Sequence, residues 1–324
     1  MIAGSTSFVC GVAASLTLFA SGLAIADTYP SRPIRLVVPA AAGGSTDIGA
    51  RAVAARMTLE LGQPVIVDNK SGGGGRIGAM EVVRASADGY TLLYGNSITQ
   101  ALLSATSKSL AYDPVKDFAP VGQTFWYSTL IVCNPSVPFN DLGGLISYGK
   151  QNPLKLSHAN AGPGSGNHFS AELLGSMAGI KILNVPYKGN APAVQDVLGG
   201  MVACTHITEA KSFLDSGKLK AIATTGLVRD PRFPNVPTVN ESGLKGYDIT
   251  WWQGVFAPAQ TPSFVMRKLT QAVKAAAEDA AVKKQTFDSG LIQQYLSPTD
   301  VAQRTKADIT KFRTIAADAK IELD

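Results

Sequence analysis

The chain is poor in the residues that metal and redox chemistry need. It has three histidines and three cysteines, and no pair of them shows zinc-ligand spacing beyond the isolated Cys204-x-His206. Neither a metal site nor a cofactor is expected. Charge is also scarce, at 16% of residues, and although the formal net charge is +5 the Lys and Arg residues form no cluster or stripe. A nucleic-acid partner would want a concentrated basic face, so none is expected, whereas an anionic small ligand is compatible. Long apolar runs are missing outside Phe8 to Ile25, which no Lys or Arg precedes. That run is short for a spanning helix and ends in Ala24-Ile25-Ala26, an A-x-A pattern, so a signal peptide over residues 1–26, cleaved after Ala26, is expected rather than a membrane anchor. Of the cysteines only Cys133 and Cys204 then remain. Export permits a bridge between them, with two free, buried thiols as the plainer alternative.

What is present is an alternation of strands and helices. IRLVVP (Ile34 to Pro39) reads as a buried strand, and Ile48, Ala52, Ala55 and Leu59 recur at helical spacing until Leu61-Gly62-Gln63-Pro64 ends the helix. PVIVDN, a glycine loop, IGAMEVVRAS and TLLYGN continue a β-α-β-α-β order, which implies a parallel sheet with ligands at the carboxyl ends of its strands. A second α/β series starts at TLIVCN and runs through LKLSHAN, GPGSGN, HFSAELLGSMAG and AIATTG. After an irregular stretch the chain returns through YDITWWQGVFAP to helices from about Ser263. The expected fold class is α/β with two lobes, each a mostly parallel sheet flanked by helices: residues 27–127 and 249–324 form a discontinuous first lobe, and 128–248 the second.

Three glycine-rich turns invite chemistry. SGGGGRIG contains G-x-G-x-x-G as Gly73, Gly75 and Gly78, but it is the second βα turn of its lobe and no acidic residue ends the following TLLYGNS, so a permissive turn is favoured over a dinucleotide site. In GPGSGNH, Ser165 and His168 suggest a secreted Ser/His hydrolase with Asp47 or Asp196 as third member. The spacing is not G-x-S-x-G, however, and both residues fall at a helix start, where capping is the simpler role. The paired reading is different. GGSTD and GPGSGNH lie at equivalent strand-to-helix turns of different lobes, and two helix N-termini facing one another would clamp a carboxylate. Asp47 alone would repel an anion, so it is assigned to capping, water positioning or a protonated part of the ligand.

At these turns the chain resembles a known family. YPSRPIRLVVPAAAGGSTD, NKSGGGGRIGAMEVVRASADGYTLL, YDPVKDFAPVG, GPGSGNHFSAELL, VPYKGNAPAVQDVLGG, SGKLKAIATTG and PNVPTVNESG to WWQGVFAPAQTP are similar, in order, to the Bug or TctC-like periplasmic receptors of the tripartite tricarboxylate transporter system. The resemblance implies a type II periplasmic-binding-protein fold, a non-catalytic monomeric receptor, a small carboxylate as ligand and a membrane permease as partner. A periplasmic sensor without transport shares the same signature. Carried over by position, the ligand-binding residues are Gly43, Gly44, Ser45, Thr46 and Asp47 in the first loop, and Gly164, Ser165, Gly166, Asn167 and His168 in the second. Asn96, Ser97, Tyr187 and Lys188 are assigned to the cleft wall. After Met201 the chain departs from the family, reading Ala203-Cys204-Thr205-His206-Ile207-Thr208 where an Asp and an aromatic are usual; Thr205, His206 and Thr208 are candidates for the missing polar contacts, with a core strand as the alternative. Trp126-Tyr127 and Trp251-Trp252 fall near the two expected crossings, where hinge packing is favoured over a cleft wall.

Overall fold

The computed structural model describes Met1, Ile2, Gly4 and residues 29–319, so the expected leader's apolar run and its cleavage point after Ala26 lie outside the described residues. In the first sheet, β1 (Ile34–Val38) pairs in parallel with β2 (Val65–Asn69) and β3 (Thr91–Asn96). The crossovers are α1 (Ser45–Leu61) and α2 (Arg76–Val83), and a π-type turn leads into the short α3 (Leu103–Thr106). α1 stops at Gly62, whose left-handed backbone lets its N–H close on the Thr58 carbonyl. β4 (Phe118–Tyr127) carries the chain out of this sheet.

The second sheet takes β5 (Leu130–Cys133), α4 (Leu142–Gln151), β6 (Ser157–Asn160), α5 (Gly166–Ala178), β7 (Leu183–Pro186), α6 (Asn190–Leu198), β8 (Cys204–Ile207), α7 (Lys211–Asp215) and β9 (Lys220–Thr224). Its strand order is β7-β6-β8-β5-β9. The chain then returns as β10 (Trp251–Pro258), followed by α8 (Ser263–Ala277), α9 (Ala280–Phe287), β11 (Ile292–Leu296) and α10 (Pro298–Ala319). The first sheet thus reads β11-β4-β10-β3-β1-β2. β10 lies in its middle, antiparallel to both β3 and β4. In each sheet the βαβ strands share one direction, and antiparallel strands carry the chain in or out.

Two chain crossings join the sheets, and they hydrogen-bond to each other. Thr129 N–H donates to Thr225 Oγ1 (3.0 Å), Thr225 N–H to the Thr129 carbonyl (2.9 Å), and Ile249 N–H to the Thr225 carbonyl (2.9 Å). Beside them Phe169 of α5 meets Phe312 of α10 edge-on, and Trp251 stacks on Phe312 at 5.8 Å. All three rings are buried, so one apolar core runs from sheet to sheet, each ring contributing roughly 2–3 kcal/mol. Trp251 and Trp252 are hinge packing: Trp252 is fully buried and its Nε1 donates to Asp308 (2.7 Å).

The open question of the cysteines is resolved. Cys133 and Cys204 face each other across the β5–β8 ladder and form a disulfide, with their Cα atoms 4.0 Å apart.

Candidate functional site

The first loop leaves the carboxyl end of β1 and enters α1. Gly43 has φ of +86°, which glycine tolerates best, and Gly44 is the N-cap, with no side chain capping the helix. The first N–H groups of α1 have no intrahelical partner. Asp47 faces inward instead. Its Oδ2 accepts from Gly43 N–H and Arg51 Nε (both 2.9 Å), and its Oδ1 accepts from Asn69 (2.9 Å). Burial acts to raise its pKa, but the hydrogen bonds from Arg51, Gly43 and Asn69 outweigh it and hold the carboxyl below its usual value. Asp47 therefore braces the turn as an ion.

The second loop follows β6 and enters α5, whose N-cap Ser165 also leaves the helix without a side-chain cap. Asn167 accepts from Ala161 N–H and His168 N–H and donates to Asn190 (all 3.1 Å). Gly162 packs under the Tyr187 carbonyl, and Gly166 under the Trp251 ring, 3.0 Å from where a Cβ would stand. The hydrolase arrangement is not assembled: the Ser165 hydroxyl donates to the Gly162 carbonyl (2.6 Å), and His168 points its Nε2 toward Glu172 (3.6 Å).

The second loop meets the first sheet at the third glycine turn. A Cβ on Gly74 would lie 3.6 Å from the Gly164 carbonyl, and Leu103 fits between Gly74 and Gly164. The third glycine turn thus belongs to the same region, which spacing alone did not suggest. Its four successive glycines, 72 to 75, all have positive φ. Ser45 N–H faces the carboxyl group of Glu209, which follows β8. Tyr127, Gln253 and Ser45 gather at the same place, and burial raises the Tyr127 phenol to about 12. Gln253 is fully buried, with neither amide atom hydrogen-bonded. Glu209 carries no motif beyond the unusual stretch after Met201, whereas Gln253 and Asn190 sit in the family-like WWQGVFAPAQTP and VPYKGNAPAVQDVLGG and Tyr127 stands beside the first crossing.

Several assigned residues are engaged elsewhere. Asn96 accepts from Ile98 N–H and Thr99 N–H and caps its own turn, while buried Ser97 accepts from Trp252 N–H (3.2 Å). Thr205 is fully buried and donates to the Ala159 carbonyl (2.8 Å), which makes it core and corrects its assignment to the cleft. His206 is likewise core, bonded to His158 at 2.6 Å. Tyr187 donates to Asp196 (2.5 Å), and Lys188 is exposed. Among the described residues no group of three or more His, Cys, Asp or Glu is placed to hold a metal ion, and no helix is long and apolar enough to cross a membrane.

Two mixed sheets flanked by helices and joined by two crossings, with glycine-rich turns at the helix starts, define a two-lobe binding-protein fold. Residues 49–320 match the tripartite tricarboxylate transporter family receptor, TctC, and the chain belongs to that family. It is 35% identical over 298 residues to a UPF0065 protein from the TAR-I ttuE-ttuC' intergenic region of Agrobacterium vitis, covering 90% of this chain and 86% of that protein. BugT of Bordetella pertussis is 36% identical over 260 residues, 79% of this chain and 80% of its own. Among solved structures, an R. palustris protein with adipate superposes with a TM-score of 0.86 at 34% identity, covering 91% of this chain and 99% of that one. MatC from Rhodopseudomonas palustris with bound malate gives 0.82 at 35% identity, covering 89% and 99%.

Proposed function

We propose that this chain is the periplasmic substrate-binding receptor of a tripartite tricarboxylate-type transporter. Its lobes, residues 27–127 with 249–324 and residues 128–248, close on a small organic carboxylate, and the closed monomer is presented to a membrane permease. The observation that carries this reading is that two helix starts without a side-chain cap, α1 and α5, stand on separate sheets whose turns meet, Gly74 against the Gly164 carbonyl and the Ser45 N–H of α1 toward Glu209 of the other sheet. Relatives with adipate and malate support a carboxylate, and the Cys133–Cys204 bridge suits an exported protein. With the Ser165 hydroxyl held by the Gly162 carbonyl, the role is binding rather than catalysis.

A thermal-shift screen of carboxylic acids on protein stripped of ligand by unfolding and refolding tests this. An acid present at a hundredfold its Kd adds about 2.7 kcal/mol and raises Tm. Gly44→Val removes the rise: Gly44 has extended backbone, and a Cβ there has its nearest neighbour at 3.8 Å, so the variant folds while its side chain fills the gap. An equal rise in wild type and Gly44→Val would put the ligand elsewhere. Gly164 is the poorer site for this test, because its φ of +76° strains any replacement.

A further inference from the structure

Glu209 stands where a ligand carboxylate would be expected. It lies just past the end of β8, beside β6, the strand that feeds the second loop, and its carboxyl faces the Ser45 N–H at the start of α1. Its Oε1 is sealed from solvent and has no hydrogen-bond partner. The cation acting on it, Arg232, is already committed. Arg232 pairs with Asp230 through Nη2 (2.6 Å) and Nε (3.0 Å), and its Nη1 donates to the carbonyls of Thr208 (2.9 Å) and Asp288 (3.2 Å). Both members of that ion pair are almost wholly buried, so the Glu209 charge is left without a counter-ion of its own.

A ligand carboxylate placed at Ser45 would meet this acid head-on, and two like charges at one buried site disfavour each other. A group that donates rather than accepts fits the surroundings. The unpartnered Glu209 Oε1 is an acceptor, with the Tyr127 hydroxyl and the Gln253 amide close by, and an ammonium carries three donors and no acceptor. We propose that Glu209 sets the ligand class of the cleft: it receives a protonated nitrogen, so the molecule captured is an amino carboxylate, whose carboxylate goes to the start of α5, and not a di- or tricarboxylate. This rests on the receptor reading above and narrows its substrate. Burial raises the Glu209 carboxyl above its ordinary pKa, against the pull of neighbouring N–H groups and Arg232, as befits an acid still lacking its partner.

The test compares acids matched in length: 6-aminohexanoate with adipate, and L-aspartate and 4-aminobutyrate with succinate. Calorimetry is run on refolded, ligand-free full-length mature chain as wild type, Glu209→Gln and Glu209→Ala, with circular dichroism confirming each fold. Wild type is expected to bind an amino acid at least tenfold more tightly than its nitrogen-free partner, and both variants to lose or reverse that preference by at least tenfold. Tighter binding of adipate or succinate by wild type, or a ratio unchanged in both variants, overturns the proposal while leaving the carboxylate receptor intact. If no acid binds to any of the three proteins, the receptor reading fails and this proposal fails with it.

Discussion

His158 Nε2 and His206 Nδ1 share a hydrogen bond of 2.6 Å beneath α5, with His168 and Asn184 as polar neighbours. Their other ring nitrogens are buried without partners, so a second proton on either ring would bring unpaired charge into the core. Burial accordingly depresses both, His206 from 6.5 to about 3 and His158 also well below its ordinary value. Between about pH 6.5 and 3 the unfolded chain binds more protons than the native one. Stability contributed by the neutral pair is therefore present above pH 6.5 and declines as acid is added, by up to about 1.4 kcal/mol per pH unit for each ring. Thermal melts from pH 7.5 to 4.5 should show a falling Tm that is shallower in the double variant His158→Gln, His206→Gln; equal slopes would count against the pair. The sequence identified the three histidines as too few for a metal site, but which strands would bring two of them into contact is a matter of long-range pairing.

At the scale of elements, local signals read well. The starts of α1 and α5 and the stop at Gly62 follow from glycine and polar spacing, and the glycines of both loops stand where the sequence placed them. Position in a sheet is different. YDITWWQGVFAP reads as extended, yet nothing local says that β10 inserts between β3 and β4, because register there depends on partners more than a hundred residues away. The same limit hid Gly49, which reads as an ordinary small residue on α1. A Cβ there would stand 2.5 Å from Gln253 Oε1 and 2.8 Å from the Tyr94 hydroxyl, so the glycine lets α1 settle onto β3 and β10 close to the cleft. Gly49→Ala is expected to destabilise the protein by about 1–3 kcal/mol despite alanine's better helix propensity. Urea unfolding measures it, and a gain in stability would mean that the helix has slack to move.

For the whole molecule, what closes the lobes matters as much as what lines them. Arg232 reaches across from the second lobe to the Asp288 carbonyl in the first, in contact with Gly290, which leaves room for its guanidinium. Arg232→Lys keeps a positive charge beside Asp230 but cannot supply the fork of donors. Loss of the bond across the gap should disfavour the closed form by about 1.5–3 kcal/mol. Small-angle scattering of the ligand-free variant should show a larger radius of gyration than wild type, with ligand restoring compactness; identical curves would show that the cores at Phe169 and Phe312 alone hold the lobes together. Arg232 was illegible in the sequence, where RDPRFPNVP is an irregular stretch without periodicity.

The Cys133–Cys204 bridge joins β5, the first strand after one crossing, to β8, the strand that ends beside Glu209. By the register of that ladder, Leu130 opposite Ile207 and Cys133 opposite Cys204, the tie fastens the end remote from Thr129 and Glu209, so the crossing and the acid share the end that hydrogen bonds alone hold. Reduction would then free the outer end of the ladder while leaving the pivot and the acid beside each other.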